Sequence, residues 1–268
     1  MSSNRERGVY ALVTGGGTGG HVYPALALAD ALVARGHDRA SIRFLGAARG
    51  LEAQAVPEAG YSIDLVGSRG LQRGRSWRAF ADNVRMVGAM SRACVRALRI
   101  LRRRRPQVVV SVGGYASVPG IIAARLLAIP LVVHEQNAVP GLANRLAARL
   151  GARVAVSLPG TPMPGALVTG NPVRAAVTAV TRAPDPERPL LSVLGGSLGS
   201  ARLNDAVLDL YDQWRTRSDV AVRHVSGRRH FEACERRLGV LRRVDDRLEY
   251  ELVAYEDHVE RLYARTGL

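Results

Sequence analysis

His21 closes a run of small residues, Gly15-Gly16-Gly17-Thr18-Gly19-Gly20, between the apolar segment 9–13 and an Ala/Leu-rich stretch from Ala25 to Val33. A turn without side chains lets backbone N–H groups approach an anion closely, and the amino end of a following helix adds roughly half a positive charge. The pattern is a phosphate or pyrophosphate cradle with an imidazole at its lip, a group whose pKa suits proton transfer. Further glycine turns follow apolar runs at Gly113-Gly114-Tyr115 and Gly195-Gly196-Ser197-Leu198-Gly199-Ser200. His134-Glu135-Gln136-Asn137 ends another such run, at the strand end where α/β proteins assemble their sites.

What is missing narrows the kind of cradle. A Walker A loop needs Gly-Lys-Ser/Thr to reach the β- and γ-phosphates, and all 38 basic residues here are arginine. Gly15, Gly17 and Gly20 do satisfy the dinucleotide fingerprint G-x-G-x-x-G. That fingerprint also wants an acid closing the second strand, for the ribose hydroxyl. The second apolar run ends instead in Gly46-Ala47-Ala48-Arg49, where Arg49 could serve only a 2′-phosphate. An NADP-dependent oxidoreductase with a Rossmann fold therefore stays open as an alternative.

Such loops need strands and helices behind them. Strand-like runs fall at 10–14, 42–45, 62–65, 108–112, 131–134 and 154–156, with helical segments near 22–35, 50–58, 77–104, 117–127 and 141–149. Non-alternating strands between helices predict a parallel, doubly wound sheet. The Pro/Gly-rich stretch 158–165, with Gly170-Asn171-Pro172 and Ala183-Pro184-Asp185-Pro186, marks a boundary. A second pattern follows: strand 190–194, the Ser197 turn, helix 201–216, strands 220–225 and 248–253, and helices near 229–241 and 256–265. The expected organisation is an N-terminal domain over 1–165, a linker over 166–186 and a partial C-terminal domain over 187–268. The second half holds few strand–helix units, so a C-terminally truncated chain is expected.

At 268 residues and 47% hydrophobic, the chain can bury a substantial core. Cys94 and Cys234 lack metal-ligand spacing and read as thiols of a reducing compartment, not a disulfide. The polar start argues against a signal peptide, and no apolar stretch reaches the roughly 20 uninterrupted residues of a membrane span. A net charge of +15 favours anionic partners. Much of it lies between Arg69 and Arg105, including Arg73, Arg75, Arg78, Arg85, Arg92, Arg96 and Arg99, against Asp82 alone. Trp77, Phe80, Val84, Val87, Met90, Val95 and Leu98 are interleaved at helical spacings, an apolar stripe beside a basic face. One reading is a helix packed on a sheet with a solvated basic side. The other is an interfacial element on anionic lipid, with Trp77 and Phe80 near the headgroups. A non-catalytic basic lipid-binding protein is a further alternative; the scarcity of base-stacking aromatics argues against nucleic acid.

Taken in order and spacing, the motifs Gly15–Pro24, Gly113-Gly114-Tyr115, His134–Asn137, Gly170-Asn171-Pro172-Val173-Arg174 and Gly195-Gly196-Ser197-x-Gly199-x-x-x-Leu203-Asn204 resemble the MurG family of peptidoglycan GlcNAc transferases. The resemblance implies an α/β fold of GT-B type, two Rossmann-like doubly wound domains facing a cleft, the second incomplete. It implies inverting, metal-independent transfer of GlcNAc from UDP-GlcNAc to the C4 hydroxyl of MurNAc in lipid I, forming lipid II, without a cofactor. His21 matches the family's candidate base, with a helix-end or substrate-positioning role as the alternative. Glu135 is the rival catalytic group, and His134 reads as a loop-holding residue. Thr18, Gly19, Gly20, Asn137, Arg174 and Ser197 match donor-binding positions, Ser197 being otherwise a plain helix N-cap. The family's backbone contact to uracil falls near Tyr255-Glu256, where the usual Ile-Asp is absent. Gly16, Gly17, Gly113, Gly114 and Tyr115 suit the acceptor pyrophosphate. Arg73, Arg75, Trp77, Arg78, Phe80 and Val84 are the expected membrane-association residues. The implied partners are UDP-GlcNAc, lipid I and the anionic inner-membrane surface, on the cytoplasmic face of the bacterial cell membrane, with no nucleic acid. The family's Ser-Gly-Ala-x-Thr-x-x-Glu helix and Gln-rich loop do not occur before Leu268, so poor turnover is expected of these 268 residues alone.

Overall fold

In the first part of the chain, strands β1 (Ala11–Gly15), β2 (Ile42–Ala47), β3 (Ser62–Val66), β4 (Val108–Gly113), β5 (Leu131–Glu135), β6 (Arg153–Val156) and β7 (Leu167–Val168) form one sheet. Every neighbouring pair is parallel, in the order β3-β2-β1-β4-β5-β6-β7. Helices α1 (Gly19–Ala34), α2 (Glu52–Glu58), α3 (Trp77–Arg104), α4 (Val118–Leu126) and α5 (Leu142–Arg149) make the crossovers. The strand order runs outward from β1 in one direction and from β4 in the other. At such a switch point the connecting loops part to opposite faces and leave a crevice at the carboxyl ends of the strands.

This computed structural model describes residues 8–48, 50–67, 77–196 and 199–268, with 77–87 described as backbone only. Two compact units divide the chain, 1–174 and 175–268.

The non-alternating strands are explained by burial on both faces. Successive residues of a strand point to opposite sides. Leu12 packs with Leu101, Val109, Ile121 and Val133 on one side, and Val13 with Val22, Ala29, Phe44 and Val112 on the other. Helix α3 occupies the span its spacing predicts, but its buried seam differs. Ala93, Ala97 and Leu101 are buried one turn apart, whereas Val95 is 48% exposed beside the exposed Arg92, Arg96 and Arg99. Small residues on that seam let α3 pack closely on the α4 side of the sheet, which the size-weighted apolar pattern does not reveal. Helix α1 begins at Gly19 and carries Pro24 inside it, so His21 lies in its first turn and not ahead of it. Strand β7 was not expected; it extends the first sheet into a segment that composition marks as linker.

The second unit holds β8 (Leu190–Leu194), β9 (Ala221–Val225) and β10 (Glu249–Val253), all parallel in the order β10-β9-β8. Helices α6 (Ala175–Thr178), α7 (Ala201–Trp214), α8 (Phe231–Leu241) and α9 (Val259–Arg265) accompany them. Val207, Leu208, Tyr211, Val222, Cys234 and Leu238 form its core. Cys94 and Cys234 are free thiols whose pKa values burial pushes up. Among the described residues, no helix is long and apolar enough to cross a membrane.

A polar chain threads the second core. Asn204 Nδ2 donates to the Ser226 carbonyl (3.0 Å), which leaves its Oδ1 to accept from His224 Nε2 (2.9 Å). His224 Nδ1 then accepts from the Tyr250 hydroxyl (2.7 Å). The neutral ring is fully satisfied, and burial holds its pKa down to about 4. The unfolded chain takes up this proton below about pH 6.5, whereas the fold refuses it until about pH 4. Stability present above pH 6.5 is therefore lost as pH falls through that window, by about 3 kcal/mol in full. Urea midpoints measured from pH 7 to 4 should show the decline. In His224→Asn that portion of the slope should vanish; an unchanged slope would contradict the assignment.

Candidate active site

Loops leaving β1 and β4 meet at the switch point and are packed into one another. Gly114 sits at φ 80°, where L side chains are strained, and a Cβ there would lie 2.3 Å from the Gly16 carbonyl oxygen. Gly16 N–H in turn donates to the Gly113 carbonyl (3.4 Å). Gly17, at φ 94°, lies against the Tyr115 ring, 2.9 Å from its Cε1 to an added Cβ. Part of the glycine content thus serves loop-on-loop contact, not ligand approach alone.

The cradle's N–H groups are also partly engaged from inside. Gly17 N–H donates to Oε2 of Glu52 (2.8 Å), and Ala47 N–H donates to its Oε1 (2.9 Å). Glu52, 1% exposed, is the acid that the end of the second strand lacks in sequence. Both of its oxygens are already taken by backbone N–H groups, which suits it poorly to hold a ribose hydroxyl. Among the described residues, the N–H groups of Gly19 and Gly20, in the first turn of α1, have no acceptor, as at the open amino end of a helix. Arg49 lies outside the described residues.

His21 is half-buried in that first turn, its Nδ1 3.1 Å from Thr18 Oγ1. Burial lowers its pKa, opposed by the negative charges of Glu135 and Glu52, so the ring is neutral at pH 7. The effect of Glu135 on His21 brings the two candidate bases into one electrostatic environment.

Their surroundings differ sharply. Glu135 is 1% exposed, and Oε1 accepts from the backbone and side-chain N–H groups of Asn137 (both 2.9 Å). Its Oε2 accepts from Gly141 N–H and Asn144 Nδ2 (both 2.8 Å). Burial pushes its pKa up, but the N–H groups of Gly141 and Asn137 and the amides of Asn144 and Asn137 outweigh it, and the net shift is downward. A saturated carboxylate of low basicity is a better anchor than base. Asn137 thereby spends its Nδ2 on Glu135. His134 accepts at Nδ1 from Gln136 Nε2 (3.1 Å) and donates from Nε2 to the Gly170 carbonyl (3.0 Å). It ties the Gly170 loop to β5, the loop-holding role its sequence position suggests.

Tyr115, whose hydroxyl pKa is raised by burial and by Glu52, stays a protonated donor beside the glycine loop. The Arg174 guanidinium stacks over the Tyr23 ring at 4.8 Å, which brings this cation to α1 within the first unit. In the second unit, Ser197 lies outside the described residues, but the N-cap of α7 is Ser200, whose hydroxyl accepts from Leu203 N–H (3.4 Å). An N-cap role for Ser197 is thus displaced. Gly199 is at φ 76°, and a Cβ there would lie 2.0 Å from the Ser226 carbonyl oxygen. Asn204, part of the same motif, braces the core through His224. The Glu256 carboxylate is held by Arg223 Nε (3.0 Å) and Nη2 (2.7 Å), and accepts from His258 N–H (3.1 Å). Arg73 and Arg75 lie outside the described residues, and Trp77, Arg78, Phe80 and Val84 are placed only as helix backbone.

Glu52, Asn144 and Gly141 were not foreseen from the sequence. The glycines at 46 and 50, just ahead of Glu52, were the available signal for the first of them.

Residues 11–156 match the glycosyltransferase family 28 N-terminal domain, and residues 190–268 match the family 28 C-terminal domain. A relative from Nocardioides sp. is 48% identical over 208 residues, covering 73% of this chain and 55% of the relative. A relative from Salinibacter ruber is 38% identical over 274 residues, covering 98% of this chain and 71% of the relative. Both carry the description UDP-N-acetylglucosamine–N-acetylmuramyl-(pentapeptide) pyrophosphoryl-undecaprenol N-acetylglucosamine transferase. The crystal structure of Acinetobacter baumannii MurG superposes with a TM-score of 0.65 at 26% identity, covering 96% of this chain and 71% of that one.

Proposed function

This chain belongs to glycosyltransferase family 28, with the parallel α/β units of a GT-B fold, and we propose that it forms part of the transferase that converts lipid I to lipid II. UDP-GlcNAc is the donor, and the acceptor is the C4 hydroxyl of MurNAc on undecaprenyl pyrophosphate. The first unit would take the acceptor and the second the nucleotide sugar. The observation that carries this reading is a half-buried His21 in the first turn of α1, beside the interlocked loops after β1 and β4 at the switch point.

The reaction asks little more of the protein than a base and a home for departing charge. His21 accepts the proton of the C4 hydroxyl as that oxygen attacks C1 of GlcNAc from the face opposite UDP. The C1–O bond to the β-phosphate breaks with its electron pair, UDP leaves, and the anomeric configuration inverts. The N–H groups of Gly19 and Gly20, together with Arg174 and the Ser197 turn, are assigned to phosphate charge, without a metal. Gly16, Gly17, Gly113, Gly114 and Tyr115 are assigned to the acceptor pyrophosphate. Asn137 is assigned to the GlcNAc or its phosphate, and the backbone near Glu256 to the uracil.

Two measurements test this reading. UDP at about 100 times its Kd should stabilise the protein by about 2.7 kcal/mol, and NADP should not. A response to NADP instead would support the dehydrogenase alternative. Transfer of labelled GlcNAc to a lipid I analogue tests the reaction itself, and its absence from the protein carrying this chain would overturn the assignment.

We also infer a peripheral membrane location through the basic amino-terminal end of α3. Replacing Trp77 and Phe80 with serine should release the protein from anionic vesicles in flotation; undiminished binding would sink the idea.

A further inference from the structure

Glu52 is a buried carboxylate of the first unit, with both oxygens engaged, that no step above uses. It opens α2 and points under the glycine loop, 1% exposed, with one oxygen on Gly17 N–H (2.8 Å) and the other on Ala47 N–H (2.9 Å). It therefore joins the end of β2 to the loop after β1, across a sequence separation that neither segment bridges alone. Three glycines make room for it. A Cβ at Gly16 would lie 2.2 Å from its Cδ, one at Gly46 2.5 Å from its Cγ, and one at Gly50 2.0 Å from its Oε2. None of the three positions would tolerate a side chain without displacing the carboxyl group.

We propose that Glu52 is a positioning residue for the transfer reaction, holding the glycine loop and the first turn of α1 from beneath so that His21 meets the acceptor hydroxyl. The inference rests on the base role given to His21 above. By capturing Gly17 N–H, Glu52 fills the inner side of the cradle with the protein's own negative group. An incoming phosphate is thereby turned toward the outer N–H groups at Gly19 and Gly20. The same carboxyl group acts on the imidazole through space. Among the described residues, the charges that raise the basicity of His21 are Glu135, at the end of β5, and Glu52, at the start of α2. Arg174, the cation brought to α1, lies over Tyr23.

The test uses Glu52→Gln and Glu52→Asp, with the His21 imidazole titration followed by NMR alongside turnover and thermal stability. In Glu52→Gln we expect kcat to fall at least about tenfold, with KM for UDP-GlcNAc rising by a smaller factor, because the loop that Glu52 holds leads into the Gly19 and Gly20 N–H groups assigned to the donor phosphates. Loss of the charge should also move the His21 titration to lower pH. A purely structural Glu52 would lower thermal stability and leave the titration where it is, which would overturn the proposal. If Glu52→Gln does not fold, Glu52→Asp carries the test. Its carboxyl group retreats by one methylene from Gly17, so wild-type titration and wild-type kcat in a folded Asp variant would also overturn it. The titration needs no turnover. A wild-type protein that fails to transfer GlcNAc refutes the functional reading, whereas an unmoved titration refutes only the role of Glu52.

Discussion

Replacing His21 with glutamine should lower kcat by about 10²- to 10⁴-fold, equivalent to roughly 3–5 kcal/mol of transition-state stabilisation. Glutamine keeps the size and polarity of the side chain but cannot take up a proton at neutral pH. Thr18, Gly19 and Gly20 of the same turn are assigned to the donor, so the test is that kcat falls much further than KM for UDP-GlcNAc rises. The pH profile provides a second check. Burial lowers the pKa of His21 from 6.5, more than Glu135 and Glu52 raise it. The midpoint of the acid limb of kcat should therefore lie below pH 6.5, with a fall of about tenfold per pH unit beneath it. The residual activity of the glutamine variant should lack that acid limb. A variant with wild-type kcat, or one that keeps the limb, would move the base away from His21.

Removing Glu135 should act first on stability. In Glu135→Ala, four N–H donors at Asn137, Gly141 and Asn144 lose their acceptor in a site that is 1% exposed. Taking away one partner of such a buried charged network costs about 3–5 kcal/mol. For a unit of this size that corresponds to a fall in Tm of roughly 10 °C. Glu135→Gln is the sharper probe, because an amide fills the space but turns N–H toward donors that need an acceptor. Calorimetry should register both losses. If Glu135 were the base with a merely incidental set of bonds, Glu135→Gln would instead keep its Tm and lose only turnover.

These two residues show how far local sequence reaches. Both stood out from their neighbours, His21 on a glycine turn and Glu135 at a strand end, and both lie in the switch-point site. Sequence could not rank them as bases. The ranking rests on four donors contributed by the loop and helix that follow β5, against a single hydroxyl beside His21. Glu52 was passed over for a related reason: the search for an acid stopped at the end of the second strand. The carboxyl group stands a few residues further on, facing the loop after β1. Asn204, read as part of a nucleotide motif, and His224, not singled out at all, prove to brace one another inside the second core.

The sequence by itself determined the alternation of parallel strands and helices, the three glycine turns and the position of His21. Those features follow from periodicities of two and 3.6 residues and from backbone sterics, which act between near neighbours in the chain. It also determined the span of α3, Trp77–Arg104, because that amphipathic pattern is long. Only the tertiary structure decided that β1 lies beside β4, and hence that the loops at Gly16 and Gly114 interlock. It alone decided which carboxylates are saturated and which imidazole stays available. Burial and hydrogen-bond partners set those properties, and the partners come from strands and helices far apart in sequence, where no spacing rule can reach.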